Sequence, residues 1–131
     1  MERRTAFRPQ RVLIVDDTAE QRELWKLWLT DWGFAVEEAR DGAEAVEKAR
    51  IRPPDLILMD LAMPVLDGSA AMQLLASNRA TAHVPVLAMT AHTSAIASAP
   101  SQAGRFVPKP TEPEGLLEHI RSALRPSSAR R

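Results

Sequence analysis

The chain contains no cysteine. That absence excludes a disulfide scaffold, a thiolate nucleophile and cysteine-ligated zinc. An excess of either charge is missing too: 17 Lys+Arg balance 17 Asp+Glu, so nothing draws nucleic acid or an anionic membrane in bulk. No apolar run approaches the ~20 residues that span a bilayer. The opening residues Met1, Glu2, Arg3, Arg4 and Thr5 lack the apolar core of a secretory signal. A glycine-rich phosphate loop of the G-x-x-x-x-G-K type is also absent, which argues against a nucleotide-binding protein.

What is present suits one compact soluble domain: 131 residues, 45% hydrophobic and 26% charged. No repeat or internal linker divides the chain. The expected organisation is a flexible lead over residues 1–10, a domain over 11–125 and a flexible tail over 126–131, in the cytoplasm.

Short apolar runs alternate with helical patterns. Val12, Leu13, Ile14 and Val15 form a β-branched run that stops at Asp16 and Asp17. A helix follows, with Thr18 as its expected cap, Leu24, Leu27 and Trp28 at helical spacing, and Gly33 as its end. Phe34, Ala35 and Val36 read as a second strand. Asp41 and Gly42 make a turn, with Ala43, Val46 and Ala49 on a second helix. Residues 56–59 form a third strand ending at Asp60, and Asp67 and Gly68 open a helix with Met72 and Leu75 inward. Residues 84–89 form a fourth strand ending at Thr90, and 105–107 a fifth. A last helix over 112–125 carries Leu116, Leu117, Ile120 and Leu124 on its inner side. Such alternation predicts βαβ crossovers and a parallel sheet, with the ligand site outside the carboxyl ends of the strands.

Polar groups stand at those ends: Asp16 and Asp17, Asp60, Thr90 and Lys109. Three carboxylates brought to one edge repel one another, and a hard divalent cation such as Mg²⁺ relieves that repulsion. With a hydroxyl and an ammonium beside them, the edge can hold a tetrahedral dianion next to a metal. Taken singly, each residue has a plainer reading: Asp17 or Thr18 as a helix cap, Asp60 as a turn residue, Thr90 as a satisfied hydroxyl, Lys109 as a surface charge. The ordered set outweighs the single readings.

That set resembles a bacterial response-regulator receiver (CheY-like) domain. The resemblance rests on Asp16 and Asp17 after the first strand, on Asp60 with Met63, Pro64, Asp67 and Gly68, on Met89, Thr90 and Ala91, and on Lys109 and Pro110; it runs from about residue 11 to 125. It implies a flavodoxin-like, doubly wound, five-stranded parallel sheet of order 2-1-3-4-5. It also implies that Asp60 is the phosphoacceptor, modified to an aspartyl phosphate by a histidine kinase or histidine phosphotransfer protein. Asp17, Asp60 and the main-chain carbonyl of Ala62 would ligate Mg²⁺, and Asp16 would act through a metal-bound water. Lys109 and Thr90 would hold the phosphoryl oxygens. Thr90 and Phe106 would form the switch, although Phe106 reads equally well as core filling. The Lys109–Pro110 peptide bond is typically cis in such domains.

The resemblance implies a signalling phosphoacceptor rather than an enzyme, with slow autodephosphorylation at most. Its partners would be a kinase and an unknown downstream protein, without direct nucleic-acid binding or membrane insertion, as a monomer or weak dimer. Ala62 offers no side chain to orient water, and His92 reads as a loop residue or a proton-active neighbour; together they suggest a phosphorylated form of moderate to long lifetime. Ala62 also removes the second acid that a haloacid-dehalogenase-like phosphatase needs. The rival reading is a phosphate-independent interaction module on the same fold.

Two features depart from the family pattern. Only nineteen positions separate Thr90 from Lys109, and Pro100 would cost about 3 kcal/mol inside a helix, so a shortened or irregular fourth helix is expected. Pro108 requires the fifth strand to lie at the sheet edge. Of the tryptophans, Trp28 is expected in the core, with Trp25 and Trp32 at its margins and either one exposed or half-buried.

Overall fold

The structure is a computed structural model that describes residues 8–60, 68–90, 105–108 and 112–124. Its strands are β1 (Arg11–Val15), β2 (Ala35–Ala39), β3 (Leu56–Asp60), β4 (Val86–Thr90) and β5 (Arg105–Pro108). Its helices are α1 (Ala19–Asp31), α2 (Gly42–Ile51), α3 (Gly68–Ser77) and α4 (Pro113–Leu124). All strand pairs are parallel, in the order β2-β1-β3-β4-β5. The expected irregular helix between β4 and β5 lies outside the described residues.

Residues 12–15 of β1, 56–59 of β3 and 86–89 of β4 are apolar at every position because both faces of the sheet are covered. Side chains alternate across the pleat. Leu13, Val15, Ile57, Met59, Val86 and Ala88 meet Ala45 and Ala49 of α2 and Ala71, Met72 and Leu75 of α3. Val12, Ile14, Leu56, Leu58, Leu87 and Met89 meet Trp25 and Leu29 of α1 and Leu116 and Ile120 of α4. Each fully buried leucine or isoleucine in these layers contributes roughly 1.5–3 kcal/mol relative to exposure.

α1 presents a different face from the one expected. Trp25 and Leu29 are buried, with Trp28 and Trp32 packed at their margin, whereas Leu24 and Leu27 are exposed. The inward stripe is therefore 25, 28, 29 and 32, an i, i+3, i+4, i+7 set to which Leu24 and Leu27 do not belong. α1 ends in a Schellman motif: Phe34 N–H donates to the Leu29 carbonyl and Gly33 N–H to the Thr30 carbonyl, both at 3.0 Å. Gly33 has φ +98°, a conformation that a side chain would strain.

β2 runs further than expected, through Glu37 and Glu38. Both acids are tolerated because β2 is an edge strand and each meets a cation. Glu37 Oε1 lies 2.9 Å from Arg11 Nη2, and Glu38 Oε1 3.1 Å from Arg22 Nε. In α2 the inner positions are Gly42, Ala45 and Ala49, with Val46 alongside; Ala43 faces solvent. Asp41 caps this helix by accepting from Glu44 N–H at 2.8 Å, while Glu44 Oε1 accepts from Arg40 N–H at 2.7 Å. β5 pairs with β4 alone, with Pro108 opposite Thr90, so the missing N–H of the proline falls on an edge strand. No helix among the described residues is long and apolar enough to cross a membrane.

Candidate metal centre at the strand ends

The register places the acidic residues together. Val15 pairs with Met59, so Asp16, one step past β1, comes beside Asp60 at the end of β3. The Asp16 N–H donates to the Ala39 carbonyl at 3.1 Å, carrying the β1–β2 ladder one residue further. Carboxylate oxygens of Asp16, Asp17 and Asp60 all lie within 4.8 Å of one another. Asp16 and Asp60 are buried and Asp17 is exposed, so the group has a solvent-facing mouth and a shielded floor.

The local chain explains this placement. Thr18 occupies the cap position of α1, yet its side chain makes no capping bond. The carboxylate of Asp16 forms an Asx turn just ahead of the helix, accepting from Thr18 N–H at 2.8 Å. Asp16 thus turns its own chain into the helix and holds its side chain at the sheet edge. Arg22, four residues after Thr18 on α1, donates from Nη1 to the Asp16 carbonyl at 2.7 Å. Sequence reasoning did not single out Arg22 or Glu38. The available signal was a cation one helical turn into the helix that follows an acidic pair.

Electrostatics extend outward from the site. For Glu38, burial is the largest single influence and pushes the carboxyl pKa up. The hydrogen bonds and charges of Arg22 and Lys26 together outweigh it, and the carboxyl sits below its ordinary value. Glu44 is also held below its ordinary value, first by the hydrogen bond from Arg40 N–H, then by Lys48 against an opposing effect of burial.

Among the other expected site residues, Thr90 ends β4 one step beyond Met89, the partner of Asp60, so the backbone brings it to the same edge. Phe106 lies within β5 opposite Ala88. Ala62 and Lys109 lie outside the described residues, as do His92 and Pro110.

The donor set is three carboxylates with no sulfur or imidazole among them. Hard oxygen ligands of this kind suit Mg²⁺, which keeps several waters and needs few protein ligands. The residues present fit such an ion.

A parallel doubly wound sheet places its ligand site in the crevice outside the carboxyl ends of its strands, and in this α/β domain that site is acidic. The family profile described as "Response regulator receiver domain" matches residues 12–121, and the chain belongs to that family. It is 36% identical over 123 residues to the response regulator MprA of Mycobacterium sp. (strain KMS), covering 92% of this chain and 53% of the relative. The chain therefore spans about half the length of that relative. It is 38% identical over 117 residues to the chemotaxis protein CheY of Bacillus subtilis (strain 168), covering 87% of this chain and 97% of CheY. The receiver domain of the sensor histidine kinase PA1611 from Pseudomonas aeruginosa PAO1 superposes with a TM-score of 0.82 at 28% identity, over 89% of this chain and 98% of that one. That structure has a magnesium ion coordinated in its active-site cleft. Receiver domains are the signalling phosphoacceptors of two-component systems, and they bind Mg²⁺ at the acidic site.

Proposed function

We propose that this chain accepts a phosphoryl group on Asp60 from a phosphohistidine of a kinase or phosphotransfer protein, and thereby switches a protein-interaction surface. The observation that carries this reading is the convergence of Asp16, Asp17 and Asp60 within 4.8 Å at the carboxyl edge of the sheet. In the transfer, an Asp60 carboxylate oxygen forms a bond to phosphorus as the N–P bond of the donor breaks, and the leaving imidazole takes up a proton. A carboxylate needs no base to attack, so the domain contributes positioning and charge complementarity.

Asp17 and Asp60, with the Ala62 carbonyl, would hold Mg²⁺, and Asp16 would support it through water. The ion supplies positive charge against the phosphoryl oxygens. Lys109 would pair with one of those oxygens and Thr90 would donate its hydroxyl to another. Phe106 and Thr90 would carry the change toward β5, where the downstream partner docks. We further propose that the working unit is residues 11–125, acting in the cytoplasm as a monomer or weak dimer, with slow loss of the phosphoryl group because Ala62 cannot orient water.

The test is incubation with acetyl phosphate, with and without Mg²⁺, followed by intact-mass measurement. A phosphoryl adduct is expected in the wild type with Mg²⁺ and in neither the Mg²⁺-free sample nor Asp60→Asn. An adduct that persists in Asp60→Asn, or none in the wild type, overturns the reading.

A further inference from the structure

The guanidinium of Arg22 joins two strands. Its Nη1 donates to the Asp16 carbonyl at 2.7 Å, and its Nε donates to Glu38 Oε1 at 3.1 Å. The second oxygen of Glu38 lies 3.3 Å from Lys26 Nζ, and the Glu38 carbonyl accepts from Lys48 Nζ at 2.6 Å. Glu38 is thus fixed in β2 by two lysines, and Arg22 carries that anchor across to the residue after β1. The Arg22 side chain is 14% exposed and that of Glu38 31%, so both bonds of Arg22 are partly shielded from water.

The Asp16 carbonyl and the Asp17 amide share one planar peptide unit. With that carbonyl held by Arg22, and the Asp16 N–H held by the Ala39 carbonyl at 3.1 Å, the peptide leading into Asp17 has a fixed orientation. Asp17 is the exposed member of the acidic group, the one that packing alone leaves most freedom.

We propose that Arg22, anchored by Glu38, is a positioning residue for the acidic cluster: it sets the plane from which Asp17 projects and so tunes how tightly the site holds its divalent cation. This rests on the reading of the cluster as a metal site. A lysine cannot reproduce the role in full, because a guanidinium holds two acceptors in fixed directions and an ammonium is a mobile point charge.

The test is calorimetric titration of Mg²⁺ into the wild type and into Asp17→Asn, Arg22→Met, Arg22→Lys and Glu38→Gln, each well below its melting temperature and checked for fold by circular dichroism. Binding is expected in the wild type and lost in Asp17→Asn. It is expected to weaken about tenfold in Arg22→Met, the scale of lost support around a metal ligand, with Arg22→Lys intermediate and Glu38→Gln weakened in the same direction. In the metal-free protein, amide exchange at Asp17 and Thr18 is expected to quicken in Arg22→Met, as a loosened peptide plane requires. A folded Arg22→Met that binds Mg²⁺ like the wild type overturns the proposal, whatever its melting temperature. If Arg22→Met does not fold, wild-type affinity in both Arg22→Lys and Glu38→Gln overturns it. A wild type without Asp17-dependent binding removes the metal reading itself, and this proposal with it.

Discussion

Asp16 Oδ1 accepts the main-chain N–H of Thr18 at 2.8 Å, so one buried carboxylate both turns the chain into α1 and belongs to the acidic group. The two roles separate by substitution. Asp16→Asn keeps an oxygen for the Thr18 N–H and removes the charge, whereas Asp16→Ala removes both. Loss of such a hydrogen bond costs about 1 kcal/mol. Urea denaturation without metal is expected to show Asp16→Ala less stable than Asp16→Asn by about that amount. Asp16→Asn should be at least as stable as the wild type, since it relieves repulsion from Asp17 and Asp60. Equal stabilities for the two variants would remove the role of that hydrogen bond.

The same crowding makes the fold responsive to divalent cations. A ligand that binds only the folded state stabilises it by about 2.7 kcal/mol at a hundred times its dissociation constant. The melting temperature is expected to rise on titration with Mg²⁺ and to return on chelation. Asp17→Asn and Asp60→Asn should melt at a temperature that Mg²⁺ leaves unchanged. A rise that survives both substitutions would place the ion elsewhere.

Glu38 and Glu44 give the acid limb of stability a defined sign. Both carboxyls are held below the ordinary value of 4.5 in the folded state. Folding therefore favours their ionised forms. Their contribution is complete above about pH 4.5 and is lost as pH falls through the lower folded pKa values. Unfolding free energy measured from neutral pH downward should drop less steeply in Glu44→Gln and Glu38→Gln than in the wild type across that window. Parallel curves would contradict the assignment.

Much of this arrangement was legible beforehand because it depends on local signals. Val12 to Val15 and Leu56 to Met59 are apolar at every position, which only a strand covered on both faces explains, and each stops at the acid that the site uses. The position of Asp60 beside Asp16 follows once the strands are parallel. What stayed hidden was decided by tertiary partners. Glu37 and Glu38 do not look like strand residues until Arg11 and Arg22 stand opposite them. The only sequence signature of Arg22 is its place one helical turn after an acidic pair, a weak one because the carbonyl it bonds at the site is a group that every residue possesses. Thr18 was the expected cap, yet its side chain makes no capping bond, and the acid two residues earlier holds Thr18's own amide instead.

The helix face is the sharpest case and yields its own prediction. Leu24, Leu27 and Trp28 and the alternative Trp25, Trp28, Leu29 and Trp32 both fit helical spacing, and tryptophans among leucines give α1 more than one apolar face to choose from. The sheet selects the second set because it brings the larger rings onto Val12, Ile14, Leu56 and Leu58. Leu29 is fully buried whereas Leu27 is 65% exposed. Leu29→Ala is expected to cost about 2–5 kcal/mol of unfolding free energy, the range for buried leucines. Leu27→Ala should stay within about 0.5 kcal/mol of the wild type, as surface changes do. Comparable losses at both positions would return α1 to the orientation that its sequence first suggests.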